Sequence, residues 1–195
     1  LATLNQHKVA ELKAMLTRDL PGWSFESAAS WLGDARWAET GTTFVENARI
    51  KAQFVAKFAP GQFVLADDSG LLVDHLGDKP GVHSSSYGGR EGDHGANNAR
   101  LMREMAGVVN RSARFVCQLL LLTPWGDERL YLGECRGRII EDLRGTKGFG
   151  YDPLFIPEGY EQTFAELGDE LKNQLSHRHR AFVQLRNALL SLDGS

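Results

Sequence analysis

Two adjacent carboxylates, Asp67 and Asp68, stand between apolar runs in the stretch Phe63-Val-Leu-Ala-Asp67-Asp68-Ser69-Gly70-Leu-Leu-Val-Asp74. The pattern predicts a strand, a polar corner and a second strand. Along a regular strand, neighbouring side chains point to opposite faces, so the pair could share one cation only at a bend, which Gly70 would permit. Oxygen ligands of this kind suit Mg²⁺, which keeps several waters and is held by one or two carboxylates together with substrate phosphates. Asp, Ser and Gly are also the ordinary residues of a tight turn. What sets this stretch apart is the doubled charge, because like charges against buried strands repel unless a cation or donors neutralise them. Such a site needs phosphate binders elsewhere in the chain.

Several stretches offer them. Leu1-Ala2-Thr3-Leu4-Asn5-Gln6-His7-Lys8 reads as the end of a strand entering a helix, with Asn5 as N-cap and Val9, Leu12, Met15 and Leu16 inward. A strand-to-helix corner presents free N–H groups to an anion, and Lys8 adds a charge there. Residues 23–40 read as loop, ending in Glu39-Thr40-Gly41, and Thr43-Phe-Val-Glu46 is a capping box opening a helix that Pro60-Gly61 stops. Asn47 and Lys51 share a face of that helix, although spacing alone reads as a solvated one. In Gly145-Thr-Lys147-Gly148-Phe149-Gly150-Tyr151-Asp152-Pro153, the glycines allow close backbone approach, the aromatics can stack on a base, and Asp152 can accept from a base edge. It contains neither a P-loop nor a dinucleotide fingerprint.

The elements that must carry these residues are a mixture of helices and strands. Asn97 to about Met105 reads as a short helix with Leu101, Met102 and Met105 inward, after a long glycine-rich loop. Phe115–Leu122 and Leu130–Ile139 read as hairpin strands. Thr163-Phe-Ala-Glu166 is a second capping box. Ser176-His177-Arg178-His179-Arg180 opens a last helix whose inward residues are Ala181, Leu185, Leu189 and Leu192. Cations in a first turn oppose the helix dipole, so a bound anion is the expected compensation, and Lys172 just upstream points the same way. His177 and His179 lack further ligands at zinc spacing.

At 195 residues, 42% apolar and 24% charged, the chain is globular and long enough for one domain with two lobes. A net charge of −3 argues against general attraction to nucleic acid or acidic lipid, and no apolar run approaches a membrane span. No secretory leader is visible, and the abrupt opening at Leu1 leaves room for a few residues ahead of it. Cys117 and Cys135 are expected to be reduced, as in a cytoplasmic protein.

Taken together, Thr3-x-Asn5-x-x-Lys8, Glu39-Thr-Gly41-x-Thr-Phe44-x-Glu46-Asn47-Ala-x-x-Lys51-Ala, Ala66-Asp67-Asp68-Ser69-Gly70-Leu, Pro80-Gly81-Val, Gly148-Phe149-Gly150-Tyr151-Asp152-Pro153, and Lys172-Asn with Ser176-His177-Arg178 resemble the inosine/xanthosine triphosphate pyrophosphatase family. The likeness covers nearly the whole chain. It implies an α/β fold with an elongated mixed central sheet, flanking helices and two lobes around a substrate cleft, as a homodimer. The implied activity is Mg²⁺-dependent hydrolysis of ITP, dITP and XTP to the monophosphate and pyrophosphate. By position, Thr3, Asn5, Lys8 and Lys51 would handle the triphosphate, Asp68 would be base and metal-site carboxylate, and Ser69 would lie against the substrate. Phe149, Gly150, Tyr151, Asp152, Lys172, His177 and Arg178 would surround the purine and ribose.

The chain departs from the family pattern at three positions. Ala38 replaces a common Glu, leaving Glu39 or Asp67 to complete the metal shell. Ser86 stands where Ser-x-Arg-Tyr is usual, so Arg90 would have to supply the cation, and Leu4 replaces a Gly. Two other functions fit the same residues: a pyrophosphatase for other modified nucleotides, and a non-catalytic nucleotide binder.

Overall fold

The backbone of Ala2 bridges in parallel to Ala66, and the chain then turns into α1 (Gln6–Asp19) at Asn5. The Asn5 side chain accepts hydrogen bonds from the N–H groups of His7 at 3.0 Å and Lys8 at 3.2 Å, which is the expected cap. Val9, Leu12, Met15 and Leu16 are buried, as their spacing predicts. The computed structural model describes residues 1–193, with side chains through residue 190, so the inward position expected for Leu192 lies outside the described side chains.

A short helix, α2 (Ala29–Leu32), interrupts the stretch read as loop, and α3 (Phe44–Ala56) follows. Both halves of its capping box are present: the Thr43 hydroxyl accepts from the Glu46 N–H and the Glu46 carboxylate from the Thr43 N–H, each at 3.2 Å. Asn47 and Lys51 are buried on the face that also carries Ala48, Ala52 and Val55, which corrects the solvated-face reading. Buried carboxylates override the usual exposure of a lysine.

A second correction concerns the acidic stretch. β1 (Val64–Val73) runs without a bend through Asp67, Asp68, Ser69 and Gly70, so the expected corner does not form. The remaining strands and α-helices among the described residues are β2 (Lys79–Pro80), α4 (His94–Glu104), β3 (Ser112–Leu122), β4 (Glu128–Ile139), β5 (Phe155–Pro157), α5 (Phe164–Leu167), α6 (Asp169–Leu175) and α7 (His177–Asp193). The sheet order is β2-β1-β3-β4-β5. β1 pairs antiparallel with β2, setting Leu72 opposite Pro80, and β4 pairs antiparallel with β5, setting Arg138 opposite Ile156. This is an α/β fold.

The chain forms two compact units, and β1, β3 and β4 each contribute residues to both. In the first unit, Leu12, Leu16, Leu65, Leu119, Phe182 and Leu185 form one cluster, and Ala48, Ala52, Val55, Ala66 and Leu120 form another. In the second, Leu71, Leu101, Met105, Phe115, Phe155 and Phe164 pack together. Cys117 and Cys135 are buried, and neither is in a disulfide among the described residues. Among the described residues no helix is long and apolar enough to cross a membrane.

Because α3 carries Asn47 and Lys51, its cap matters to the site. Thr43→Ala is expected to cost about 1 kcal/mol. Urea unfolding should show this as a lowered midpoint with an unchanged slope.

Candidate active site

The alternation of β1 sends its two carboxylates to opposite faces and into different company. Asp68 Oδ1 accepts from Lys51 Nζ at 2.7 Å, and Oδ2 accepts from Asn47 Nδ2 at 3.3 Å. Lys51 Nζ also donates to the Asp67 carbonyl at 3.0 Å and stands 3.1 Å from Glu39 Oε1. Asp68 and Glu39 thus converge on one ammonium. The arm bearing Glu39 is held close to α3: the Gly41 N–H donates to Asn47 Oδ1 at 2.8 Å, and a Cβ on Gly41 would stand 2.7 Å from that same oxygen. Only glycine fits there.

Asp67 faces the other way and is 1% exposed. Its Oδ1 accepts from Lys8 Nζ at 2.5 Å, and its Oδ2 accepts from Arg178 Nε at 2.9 Å and from the Cys117 thiol at 3.1 Å. Arg178, fully buried, also donates to Glu11. The cations at the start of α7 were expected to call for a bound anion. Instead, Arg178 is compensated by carboxylates of the chain itself.

Burial pushes the Asp68 carboxyl up, and the opposing pull of Lys51 and Lys8 leaves it above its ordinary value. Burial pushes Asp67 up as well, but the Arg178 and Lys8 cations outweigh it and hold that carboxyl well below the usual range. Desolvation alone would lower Lys51, yet Asp68 and Glu39 together raise it. Two neighbouring carboxylates with opposed shifts mark a division of labour.

The convergence of Asp68 and Glu39 on a cation tests the fit of a metal. The ammonium of Lys51 stands where a positive charge is already stabilised, and the three groups sum to one net negative charge. Among the described residues no cluster of three or more His, Cys, Asp or Glu is arranged to hold a metal. Two carboxylates completed by water and phosphate oxygens are the ligand set Mg²⁺ commonly takes.

Thr3 is buried, and its Oγ1 accepts from the Asn5 N–H at 3.2 Å, so Thr3 and Asn5 shape the turn that presents Lys8. Ser69 follows Asp68 on β1 and is half-buried. An apolar cavity of about 530 Å³, lined by Trp23, Phe25, Phe63 and Leu185 among others, includes none of these acidic or basic groups.

In the second unit, Asp152 is 2% exposed, and its Oδ2 accepts from the Phe149 N–H at 2.8 Å and from Lys172 Nζ at 2.6 Å. Lys172 Nζ lies 4.5 Å from the centre of the Phe149 ring, a cation–π contact. Asn98 Nδ2 donates to the Gly150 carbonyl at 3.0 Å and the Tyr151 hydroxyl to the Ser84 carbonyl at 2.8 Å, so the loop is pinned at both residues. Gly148 has a φ of +72° and would drive a Cβ into the Asp152 carboxylate. His177 stacks on Phe115, with centroids 4.9 Å apart and planes 13° from parallel. At the loop lacking the usual arginine, Arg100 of α4 lies 4.1 Å over the Tyr87 ring and donates to its carbonyl at 2.7 Å. Tyr87 thus meets a cation from α4, 13 residues further along the chain.

Glu11, Cys117, Asn98 and Arg100 were not singled out from the sequence. Glu11 carried a usable signal, since it stands three residues after Lys8 on one helix face. Cys117 and Asn98 carried none, because their partners are distant in sequence.

A model of the Ham1 family matches residues 1–188. The chain belongs to the Ham1 family. Relatives of this Ham1 chain in Opitutus terrae and Bacillus licheniformis, each named dITP/XTP pyrophosphatase, are 43% and 45% identical over 192 residues, covering 95% and 97% of it and 95% and 96% of their own lengths. The structure of the Staphylococcus aureus Ham1 protein matches with a TM-score of 0.87 at 34% identity, covering 97% of this chain and 96% of that one. The Mycobacterium abscessus nucleoside-triphosphatase / dITP/XTP pyrophosphatase matches with a TM-score of 0.75 at 40% identity, covering 94% of each chain. The family resemblance carried by the motifs is borne out.

Carboxyl-detected NMR titration of the metal-free Ham1 protein should separate the two aspartates. Asp68 should take up its proton above the ordinary value of about 3.9, and Asp67 only well below it. In stability terms, the Asp67 contribution is present above its unfolded pKa and is lost as pH falls through the folded one. That of Asp68 is present below its unfolded pKa and is lost as pH rises through its folded one. Coincident titration of the two would contradict this electrostatic assignment.

Proposed function

We propose that this chain hydrolyses non-standard purine nucleoside triphosphates, ITP, dITP and XTP, to the monophosphate and pyrophosphate. The observation that carries the reading is the convergence of Asp68 and Glu39 on the buried ammonium of Lys51, beside a second lysine, Lys8, at a helix start. The names of the relatives support the substrate class.

In this reading Asp68 is the general base. Its raised affinity for a proton suits it to take one from a water attacking the α-phosphorus, while the bond to the bridging oxygen breaks and pyrophosphate leaves. Asp68 and Glu39 would hold Mg²⁺, which when bound neutralises phosphate charge. Lys8 and Lys51 stabilise the charge that develops on the phosphate oxygens, and Thr3 and Asn5 shape the turn under them. Ser69 is assigned to substrate contact.

We assign purine and ribose recognition to Phe149, Gly150, Tyr151, Asp152, Lys172, His177 and Arg178. Lys172, fixed by Asp152 over the Phe149 ring, is a donor suited to the 6-oxo edge. An adenine amino group set against such donors leaves them unpaired, which disfavours ATP. We further propose that residues 1–195 form a single nucleoside-triphosphate pyrophosphatase domain and that the protein is a cytoplasmic homodimer, with light scattering as the test of the dimer.

A pyrophosphate-release screen across ITP, dITP, XTP, dUTP and ATP, with and without Mg²⁺, tests the assignment. We expect release from the first three only, and only with Mg²⁺. No release above the enzyme-free control would leave a non-catalytic nucleotide binder, and release chiefly from dUTP would move the activity to other nucleotides. Asp68→Asn is expected to lower kcat by roughly 10²–10⁴-fold. A near-wild-type rate would remove Asp68 from the mechanism.

A further inference from the structure

Asp67 was an expected metal ligand, and the geometry gives it different work. β1 continues as a strand through Asp67 and Asp68, so the two side chains leave opposite faces. An ionised carboxylate offers about four acceptor positions. Lys8, Arg178 and Cys117 donate to three on Asp67, whose own side chain is wholly buried. Burial and the Asp67 charge push the Cys117 thiol well above its ordinary value, so it stays an S–H donor.

The charges point the same way. Around Asp67, the cations of Lys8 and Arg178 pair with the carboxylates of Asp67 and Glu11, two against two. Around Lys51, one ammonium faces Asp68 and Glu39, and the sum is negative. A divalent cation is attracted to the second group and gains nothing at the first. Lys8 keeps 14% of its side chain exposed over an Asp67 side chain that has none. The ammonium is therefore the accessible end of a buried anchor, its rotamer already chosen before an anion arrives.

We propose that Asp67 is a positioning residue rather than a metal ligand, and that Glu11, Arg178 and Cys117 hold it so that it aims Lys8 at the substrate polyphosphate. The inference rests on the proposed hydrolysis and deepens it, naming Glu11 and Cys117 as supports of the phosphate-binding lysine. Glu11 acts at one remove, through Arg178. Arg178, assigned above to the nucleoside, is in this arrangement chiefly a clamp on Asp67.

Two ligands separate the roles without turnover: Mn²⁺ alone and tripolyphosphate alone, each titrated by calorimetry into the wild type, Asp67→Asn, Glu11→Gln and Glu39→Gln. Glu39→Gln should weaken Mn²⁺ roughly tenfold or more, while Asp67→Asn leaves it within about twofold and weakens tripolyphosphate roughly tenfold. Glu11→Gln keeps an acceptor for Arg178 but loses the charge. It should raise KM for dITP by roughly three- to tenfold with kcat changed less than about threefold. Glu11→Asp should recover part of that loss. If Asp67→Asn does not fold, Glu11→Gln carries the test. Loss of Mn²⁺ binding in Asp67→Asn comparable to that in Glu39→Gln would overturn the proposal. So would unchanged tripolyphosphate affinity in both Asp67→Asn and Glu11→Gln. Failure of the wild type to hydrolyse any nucleotide would sink the proposed activity while leaving both binding measurements readable.

Discussion

Two adjacent carboxylates buried in one strand are the constraint to which the first unit of this chain answers. Desolvating an ion costs several kcal/mol, and an opposite charge about 3 Å away returns about 5 kcal/mol at an effective dielectric of about 20. Neither carboxylate is stable there alone, and the alternation of the strand turns the two side chains to different hydrogen-bond partners. The chain meets both requirements by separating them. Asp67 takes Lys8, Arg178 and a thiol, and Asp68 takes Lys51 and an amide. α1, α3, β3 and α7 each supply a partner, so the local folds of four elements are tied to the charge balance of one strand.

The separation has a chemical consequence. A carboxylate saturated by donors keeps its charge across the working pH range and moves little. One that accepts from one ammonium and one weak amide donor retains lone pairs for other work. Asp68 and Glu39 together leave a net negative charge around Lys51, and this imbalance, rather than the number of acidic residues, distinguishes a place for a divalent cation. The uncharged alanine at position 38 adds nothing to this imbalance, which Asp68 and Glu39 produce by themselves.

The second unit solves a comparable problem with one ion pair. Asp152 and Lys172 are both buried and satisfy each other, and the carboxylate also fixes the Phe149 N–H. Because Gly148 has a backbone that L-residues rarely adopt and no room for a Cβ, the loop can fold tightly enough for one carboxylate to reach both donors. Asn98 and Tyr151 then tie the same loop to neighbouring backbone. The aromatic ring under the lysine thus belongs to a loop held by hydrogen bonds at Phe149, Gly150 and Tyr151.

Residue types and spacing in the sequence were enough to determine the helix caps at Asn5, Thr43 and Thr163, the inward faces of α1 and α4, the hairpin strands and the motif set of the family. Each of these depends on neighbours within a few residues, where propensity and hydrogen-bond reach decide the outcome. Tertiary structure alone decided that β1 would not bend at Asp67 and that Lys51 would be buried. It also decided that Arg178, 111 residues from Asp67, would turn to that carboxylate and to Glu11. Pairings at such separations are chosen by burial and charge balance in the folded chain, and no local pattern encodes which cation a given carboxylate will meet.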